Sequence, residues 1–208
     1  YLTRYELAAT ISDLHAALDH QRTAVDLTLE DDPSYPGRLS NLAATLRALY
    51  EETRNAADLE QAIVTAQLAV DASHPDDPAL VRRLSNLSSA LSTRFERSGD
   101  LADLDRAIEL GIDSVVSGPV SGAAGRISNL LLALHLRGAV TGDVRDLQEA
   151  LRWGRIATGS LPPDHADRPD ILTNAAGAAM TWFDWTGDIE AINEAVELAK
   201  AFGSDNSS

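Results

Sequence analysis

The pentapeptide Arg83-Leu84-Ser85-Asn86-Leu87 decides the fold, because related segments recur along the chain. These segments are Arg38-Leu39-Ser40-Asn41-Leu42, Arg126-Ile127-Ser128-Asn129-Leu130 and Ile171-Leu172-Thr173-Asn174-Ala175. Their Asn residues follow one another at intervals of 45, 43 and 45 positions. A nearly constant period of this length is typical of a repeat architecture, in which each repeat is one supersecondary unit.

A second motif, Asp-Leu with Ala three residues after the Leu, alternates with the first. It occurs at Asp13-Leu14/Ala17, Asp58-Leu59/Ala62, Asp103-Leu104/Ala107 and Asp146-Leu147/Ala150. Around both motifs the apolar residues recur at steps of three and four, which is the period of an amphipathic helix. Each repeat is therefore predicted to be a pair of helices.

Glycine and proline mark the ends of the predicted helices. Asp77-Pro78 offers a helix cap followed by a proline, and the tripeptides Ser98-Gly99-Asp100, Thr141-Gly142-Asp143 and Thr186-Gly187-Asp188 place glycine where a helix stops. The predicted helical pairs are residues 34–52 with 56–72, 78–97 with 101–117, 122–139 with 143–159, and 168–185 with 188–202.

These pairs predict an all-α fold, an α-solenoid of antiparallel helical hairpins that forms one repeat domain over residues 1–202. A partial unit (1–30) precedes full units at about 34–72, 78–117, 122–159 and 168–202, and residues 203–208 are expected to form a disordered tail. Because Thr3-Arg4-Tyr5-Glu6 aligns with Thr93-Arg94-Phe95-Glu96, Tyr1 falls inside a helix. The chain is therefore expected to be a piece of a longer array.

Composition narrows the classes of partner. The 208 residues are 44% hydrophobic but only 5% aromatic, which is typical of packed helices. Seventeen basic and 32 acidic residues give a net charge of −15, which repels a phosphate backbone, so we expect no nucleic acid partner. The chain has no cysteine and no apolar run long enough to span a bilayer. We expect a cytoplasmic protein that does not bind membranes.

Catalytic and metal-binding motifs are not found in the sequence. None of the five histidines has a second histidine three or four residues away, and the acidic loops lack the alternating ligands of a calcium loop. The glycine-rich stretch 117–125 is not followed by the Lys-Ser/Thr of a phosphate-binding loop, so a variant turn is the favoured interpretation. We expect no catalytic residue, metal ion or cofactor in this chain. The Trp residues near the C-terminus are interpreted mainly as core.

The two alternating motifs resemble those of the tetratricopeptide repeat superfamily over essentially the whole chain. The small residue of the second helix matches at Ala17, Ala62, Ala107, Ala150 and Ala195, and the large residue of the first helix matches at Leu42, Leu87 and Leu130. The unit is longer than the ~34 residues of the standard repeat. The long units are similar to those of kinesin light chain and of the arrays that accompany caspase-like CHAT peptidase domains.

This resemblance implies a right-handed superhelix whose first helices line a concave groove that binds proteins or peptides without catalysis. In such proteins an Asn of the first helix often bonds the ligand backbone, and the matching positions are Asn41, Asn86, Asn129 and Asn174. Helical geometry places the other candidates for peptide binding near these Asn residues. They are Ser40, Ser85, Ser128, Arg47, Arg82 and His135. The alternative function is that of a regulatory or sensor arm of a larger enzyme, such as a CHAT-type peptidase.

Three structural alternatives accompany these candidates. Each Asn could instead bond a neighbouring helix and set the stacking of the hairpins. The small Ser and Ala residues could be present because adjacent helices approach closely. The recurring Arg38, Arg83 and Arg126 could bind carboxylates of a ligand or pair with acidic residues of the preceding loop.

Overall fold

The computed structural model of the protein describes residues 11–119, 122–162 and 165–203. These ranges contain nine helices and no strand. The helices are α1 (Ile11–Asp26), α2 (Tyr35–Thr53), α3 (Ala56–Asp71), α4 (Leu80–Ser98), α5 (Leu101–Val116), α6 (Ala124–Thr141), α7 (Val144–Ser160), α8 (Arg168–Thr186) and α9 (Ile189–Gly203). From α2 onward, each helix begins and ends within two residues of its predicted boundary. The fold is an all-α solenoid, as the repeat predicts.

The same turn joins the two helices of every hairpin. The residue before the turn is Ser or Thr, and its hydroxyl accepts a hydrogen bond of 3.1–3.2 Å from the backbone N–H two residues later. That later residue, Asn55, Asp100, Asp143 or Asp188, caps the second helix by accepting from the backbone N–H two positions further on. The central residue has positive φ, and Arg54 takes the place that glycine has in the other three turns.

The chain divides into two compact units, Tyr1–Ala90 and Leu91–Ser208, with the boundary inside α4. In the first unit, α1 packs on α2 and α2 packs on α3. The core of this unit contains Leu14 and Leu18 of α1, Leu42, Leu46 and Leu49 of α2, and Ala62 of α3. The prediction of a single domain over residues 1–202 stays a prediction, and residues 1–10 and 204–208 lie outside the described part of the chain.

In the second unit, α6 packs on α5, α7 and α8. Because α6 and α8 are the first helices of successive hairpins, first helices contact each other here. Helix α9 packs on both α7 and α8. Leucines dominate the buried surface, among them Leu130, Leu131, Leu147 and Leu151. Among the described residues, none of the nine helices combines the length and the apolar character that a membrane crossing requires.

Candidate functional site

All four repeated Asn residues lie on first helices of hairpins, but their surroundings differ. Asn41 on α2 is exposed, whereas Asn86, Asn129 and Asn174 on α4, α6 and α8 are half-buried. A uniform ladder would give every Asn the same neighbours. The four positions are therefore described separately.

Asn174 joins two neighbouring first helices. Its Nδ2 donates to the Oγ of Ser128 at 3.0 Å and to the backbone O of the same residue at 3.3 Å, which ties α8 to α6. Asn129 is also engaged in a polar interaction. In the second unit, the Asn174 amide thus has the structural role that was the alternative to peptide binding.

Asn86 has a different environment. It lines a small cleft in the first unit, where the other walls are the alanines of α2, α3 and α4 together with Arg47. Among the residues that the structure describes, none makes a hydrogen bond with the Asn86 amide. The amide donors and the carbonyl acceptor of Asn86 are thus available at a cleft whose walls have short side chains.

One arginine lines this cleft, and another lies one helical turn from Asn86. Arg82, one turn before Asn86 on α4, is exposed, and its Nη1 reaches the Oγ of Ser40 on α2 at 3.4 Å. Arg47 is half-buried on α2 and forms an ion pair with Glu51. Arg47, Arg82, Asn86 and Ala44 are called the α2–α4 surface below.

The serines of the repeated motif are less accessible than an open groove requires. Ser40 and Ser85 are each only 4% exposed, and Ser128 is half-buried and bonded to Asn174. The hydroxyls of Ser40 and Ser128 lie at contacts between helices, because they accept hydrogen bonds from Arg82 on α4 and Asn174 on α8. Small residues at these positions are consistent with the close approach of helices that was the alternative interpretation.

His135 links α6 to α8. Its Nε2 lies 3.0 Å from the Oγ1 of Thr181, and its ring packs so closely on Gly177 that a Cβ there would lie 2.9 Å from the ring Cε1. Burial lowers the pKa of His135 below its usual value of 6.5. The neutral imidazole is therefore the form that the fold accommodates.

This environment predicts a pH dependence of stability. Because the folded state has the lower pKa, the unfolded state binds the proton first as the pH falls below 6.5. The stability that neutral His135 contributes is fully present above pH 6.5 and is lost as the pH falls below that value. Melting temperatures of the wild type and of His135→Gln, measured from pH 7.5 to about 5, should diverge as the wild type loses more stability. Parallel curves would contradict the prediction.

The recurring arginines at the start of the first helices bind the preceding loops. Arg83 is buried and donates from Nη1 to Asp77 Oδ2 at 2.5 Å and to Ser73 Oγ at 2.7 Å. The Arg83 guanidinium lowers the pKa of the Asp77 carboxyl. Arg38 donates from Nε to Ser34 Oγ at 3.2 Å. Both arginines thus bond residues that precede their own helix, but only Arg83 does so through an acidic residue, as the alternative to a ligand role predicts.

A second set of ion pairs was not predicted from the sequence. Arg94 near the end of α4 donates to both carboxylate oxygens of Asp103 on α5, and Arg137 on α6 does the same to Asp146 on α7. In both pairs the Asp belongs to the repeated Asp-Leu motif and is buried. The sequence contains a signal for these pairs, because Arg stands nine residues before the repeated Asp in both cases. A buried Asp needs a cationic partner, and this spacing supplies one.

The tryptophans near the C-terminus pack against other residues of the protein. Trp153 and Trp182 are each 8% exposed, so both belong to the core, whereas Trp185 is 57% exposed and packs on Gly142.

Among residues 11–119, 122–162 and 165–203, no group of three or more His, Cys, Asp or Glu is placed to hold a metal ion. Two residues of the glycine-rich stretch, Val120 and Ser121, lie outside these ranges.

Comparison with known proteins gives two matches and one negative result. Residues 37–76 match the tetratricopeptide repeat family. The crystal structure of a Podosopora anserina protein, described as kinesin light chain nearly identical TPR-like repeats, is similar in fold with a TM-score of 0.64 and 15% sequence identity. That similarity covers 99% of this chain and 92% of the crystallised chain. No curated protein sequence matches the chain.

Proposed function

We propose that this chain, a tetratricopeptide-like repeat protein, is a non-catalytic scaffold that binds an extended segment of another protein on the α2–α4 surface. Tetratricopeptide repeats generally mediate protein–protein interactions. The observation that carries the proposal is the Asn86 amide, which faces a cleft with alanine walls and has no hydrogen-bond partner among the described residues.

The chemistry of this surface suits the backbone of a peptide. An amide side chain offers both a donor and an acceptor, so it pairs with the C=O and N–H of an extended chain without reading its side chains. Alanine walls let a ligand backbone approach closely. Arg82 and Arg47 add further donors, and each can donate a hydrogen bond to a carbonyl or carboxylate oxygen of the partner.

The alternative function, the location and the excluded classes of partner are predicted from the sequence alone. A regulatory arm of a CHAT-type enzyme rests on the sequence resemblance alone, and no contact in the described residues favours it. The cytoplasmic location and the absence of nucleic acid and membrane partners rest on composition. Asn41, Asn129, Asn174 and His135 stay predicted binding residues, but Asn174 and His135 already bond neighbouring helices.

The proposal predicts different effects for Asn86→Ala and Asn174→Ala. A peptide would first be selected from a random peptide library on the wild-type protein, and its affinity would then be measured by fluorescence anisotropy. Asn86→Ala should weaken binding about tenfold, which is the value of one or two hydrogen bonds, and should change the free energy of unfolding by less than ~0.5 kcal/mol. Asn174→Ala should destabilise the fold by about 1 kcal/mol because it removes the bonds to Ser128.

Several peptides selected independently should be compared, so that the result does not depend on one sequence. Arg145→Ala serves as a control for binding, because Arg145 is highly exposed and lies in the other unit. If every selected peptide binds Asn86→Ala as tightly as the wild type, the α2–α4 surface is not the binding site.

A further inference from the structure

Arg126 differs from the other buried arginine at the same position of the repeat. Arg83, three residues before Asn86, has the Asp77 carboxylate as its partner. Arg126, three residues before Asn129, donates from Nη1 to the backbone O of Gly122 at 2.8 Å and from Nη2 to the backbone O of Pro119 at 2.7 Å. The stretch 117–125 contains no Asp or Glu. The positive charge of Arg126 is therefore held by neutral acceptors.

This charge is also removed from water. Arg126 is only 9% exposed, and its buried Nε has no hydrogen-bond partner among the described residues. Burial lowers its pKa, and no carboxylate of the described residues offsets that effect. A buried cation without an anionic partner is costly for a protein. An anion beside the guanidinium would therefore be stabilising.

An apolar cavity is lined by Ile127 and Gly118, which adjoin Arg126, although Arg126 does not itself line it. It has a volume of about 200 Å³ and is walled by residues at the end of α5, the start of α6 and the second half of α7, including Val115, Ile127 and Trp153. Val116 and Ile156, which are 69% and 40% exposed, also line it. The cavity is therefore open to solvent between apolar side chains.

Gly118 connects the two features. It lines the cavity, and a Cβ built on it would lie 2.7 Å from the Nη2 of Arg126. The guanidinium thus packs directly on the backbone that walls the cavity. Any larger residue at this position would separate the charge from the cavity or displace it.

We propose that this cavity binds a small aliphatic carboxylate, with its alkyl chain between the apolar walls and its carboxylate on the guanidinium of Arg126. The carboxylate would take the place of a loop carbonyl, such as that of Pro119, and so exchange a neutral acceptor for an anionic one. The volume suits a ligand of this size, because a dry cavity of about 150 Å³ already accepts benzene. The site is independent of the α2–α4 surface, so either proposal can fail alone.

The first test uses octanoate and its neutral counterpart octanamide as probes of the intact chain, in ligand-observed NMR titrations. Octanoate should bind with a Kd on the order of 1 mM, as expected for a ligand of about ten heavy atoms. Octanamide has the same chain without the charge and should bind about tenfold more weakly. Butyrate should bind more weakly than octanoate because it buries fewer methylene groups.

Two variants separate the two parts of the site. Arg126→Gln should reduce octanoate binding to the level of octanamide, whereas Arg145→Gln, which removes the charge of a highly exposed arginine, should leave it unchanged. Ala157→Leu fills the cavity from a buried position on its wall and should abolish binding of both probes. This second variant keeps the proposal testable if Arg126→Gln fails to fold.

Three results with the probes and variants above would overturn the proposal. They are the absence of octanoate binding up to about 10 mM, equal affinity for octanoate and octanamide, and full binding by Ala157→Leu. A blocked tripeptide that ends in a free leucine is a further probe. If it binds more tightly than octanoate, the site recognises peptide ends and the assignment to a small carboxylate is wrong.

Discussion

Replacing Arg137 by Ala is expected to lower the free energy of unfolding by about 3 kcal/mol, because it leaves a buried carboxylate without its partner. The Nε of Arg137 donates to Oδ2 of Asp146 and its Nη2 donates to Oδ1, both at 2.7 Å, and Asp146 is 8% exposed. The Nη1 donates to Asp105 at 2.8 Å. One side chain thus joins α6 to both α5 and α7, and both pairings raise the pKa of Arg137.

The measurement is urea unfolding followed by tryptophan fluorescence, with Arg145→Ala as the matched control. Arg145 also forms an ion pair, with Asp143, but its side chain is 88% exposed. An exposed pair of this kind contributes about 0–1 kcal/mol. The double variant Arg137→Ala with Asp146→Ala should recover part of the lost stability, since it removes the unpaired charge. Equal losses for Arg137→Ala and Arg145→Ala would show that burial does not strengthen the Arg137 pair.

The helices could be predicted from the sequence because their signals are local. The periodicity of apolar residues and the Ser/Thr-Gly-Asp turn act within a few residues of each boundary. The turn at Thr53-Arg54-Asn55 lacks the glycine, yet its hydrogen bonds are the same as in the other hairpins. The side-chain cap and the hydroxyl bond therefore specify this turn sufficiently for Arg54 to adopt a positive φ.

The candidate site was less predictable, because it depends on contacts between helices that are far apart in sequence. Asn86 and Asn174 occupy the same place in the repeat, so the motif alone predicts the same surroundings for both. Asn174 has a Ser hydroxyl and carbonyl of the neighbouring first helix within reach, whereas Asn86 faces a cleft. The motif places an amide on each first helix, and the packing of the neighbouring helix decides what that amide binds.

The same limit explains the unpaired charge of Arg126. The sequence shows that stretch 117–125 lacks acidic residues, but it does not show that the guanidinium is buried on Gly118 beside a cavity. Because the guanidinium is buried, a loop without acidic residues leaves its charge uncompensated. A repeat unit whose buried arginine lacks the carboxylate partner that Arg83 has is thus a place where a ligand can be sought.

The Leu of the Asp-Leu motif is expected to contribute strongly to the stability of the fold. Leu59→Ala should lower the free energy of unfolding by about 3 kcal/mol, since Leu59 is completely buried and its truncation leaves a cavity. The equivalent residues Leu14, Leu104 and Leu147 are equally buried. The Leu of this motif is therefore a core position on all four helices that carry it, α1, α3, α5 and α7, and one variant tests the interpretation of all of them.

Leu68→Ala is the matched control, because Leu68 lies on the same helix, α3, and is 49% exposed. Both substitutions change leucine to alanine within one helix, so the difference in helix propensity, a few tenths of a kcal/mol, largely cancels between them. Chemical unfolding of the two variants therefore isolates the contribution of burial. If Leu59→Ala were no more destabilising than Leu68→Ala, the recurrence of Leu in the Asp-Leu motif could not be explained by packing. The Asp of the motif, which is buried at Asp13, Asp103 and Asp146, would then be the residue whose recurrence has a structural reason.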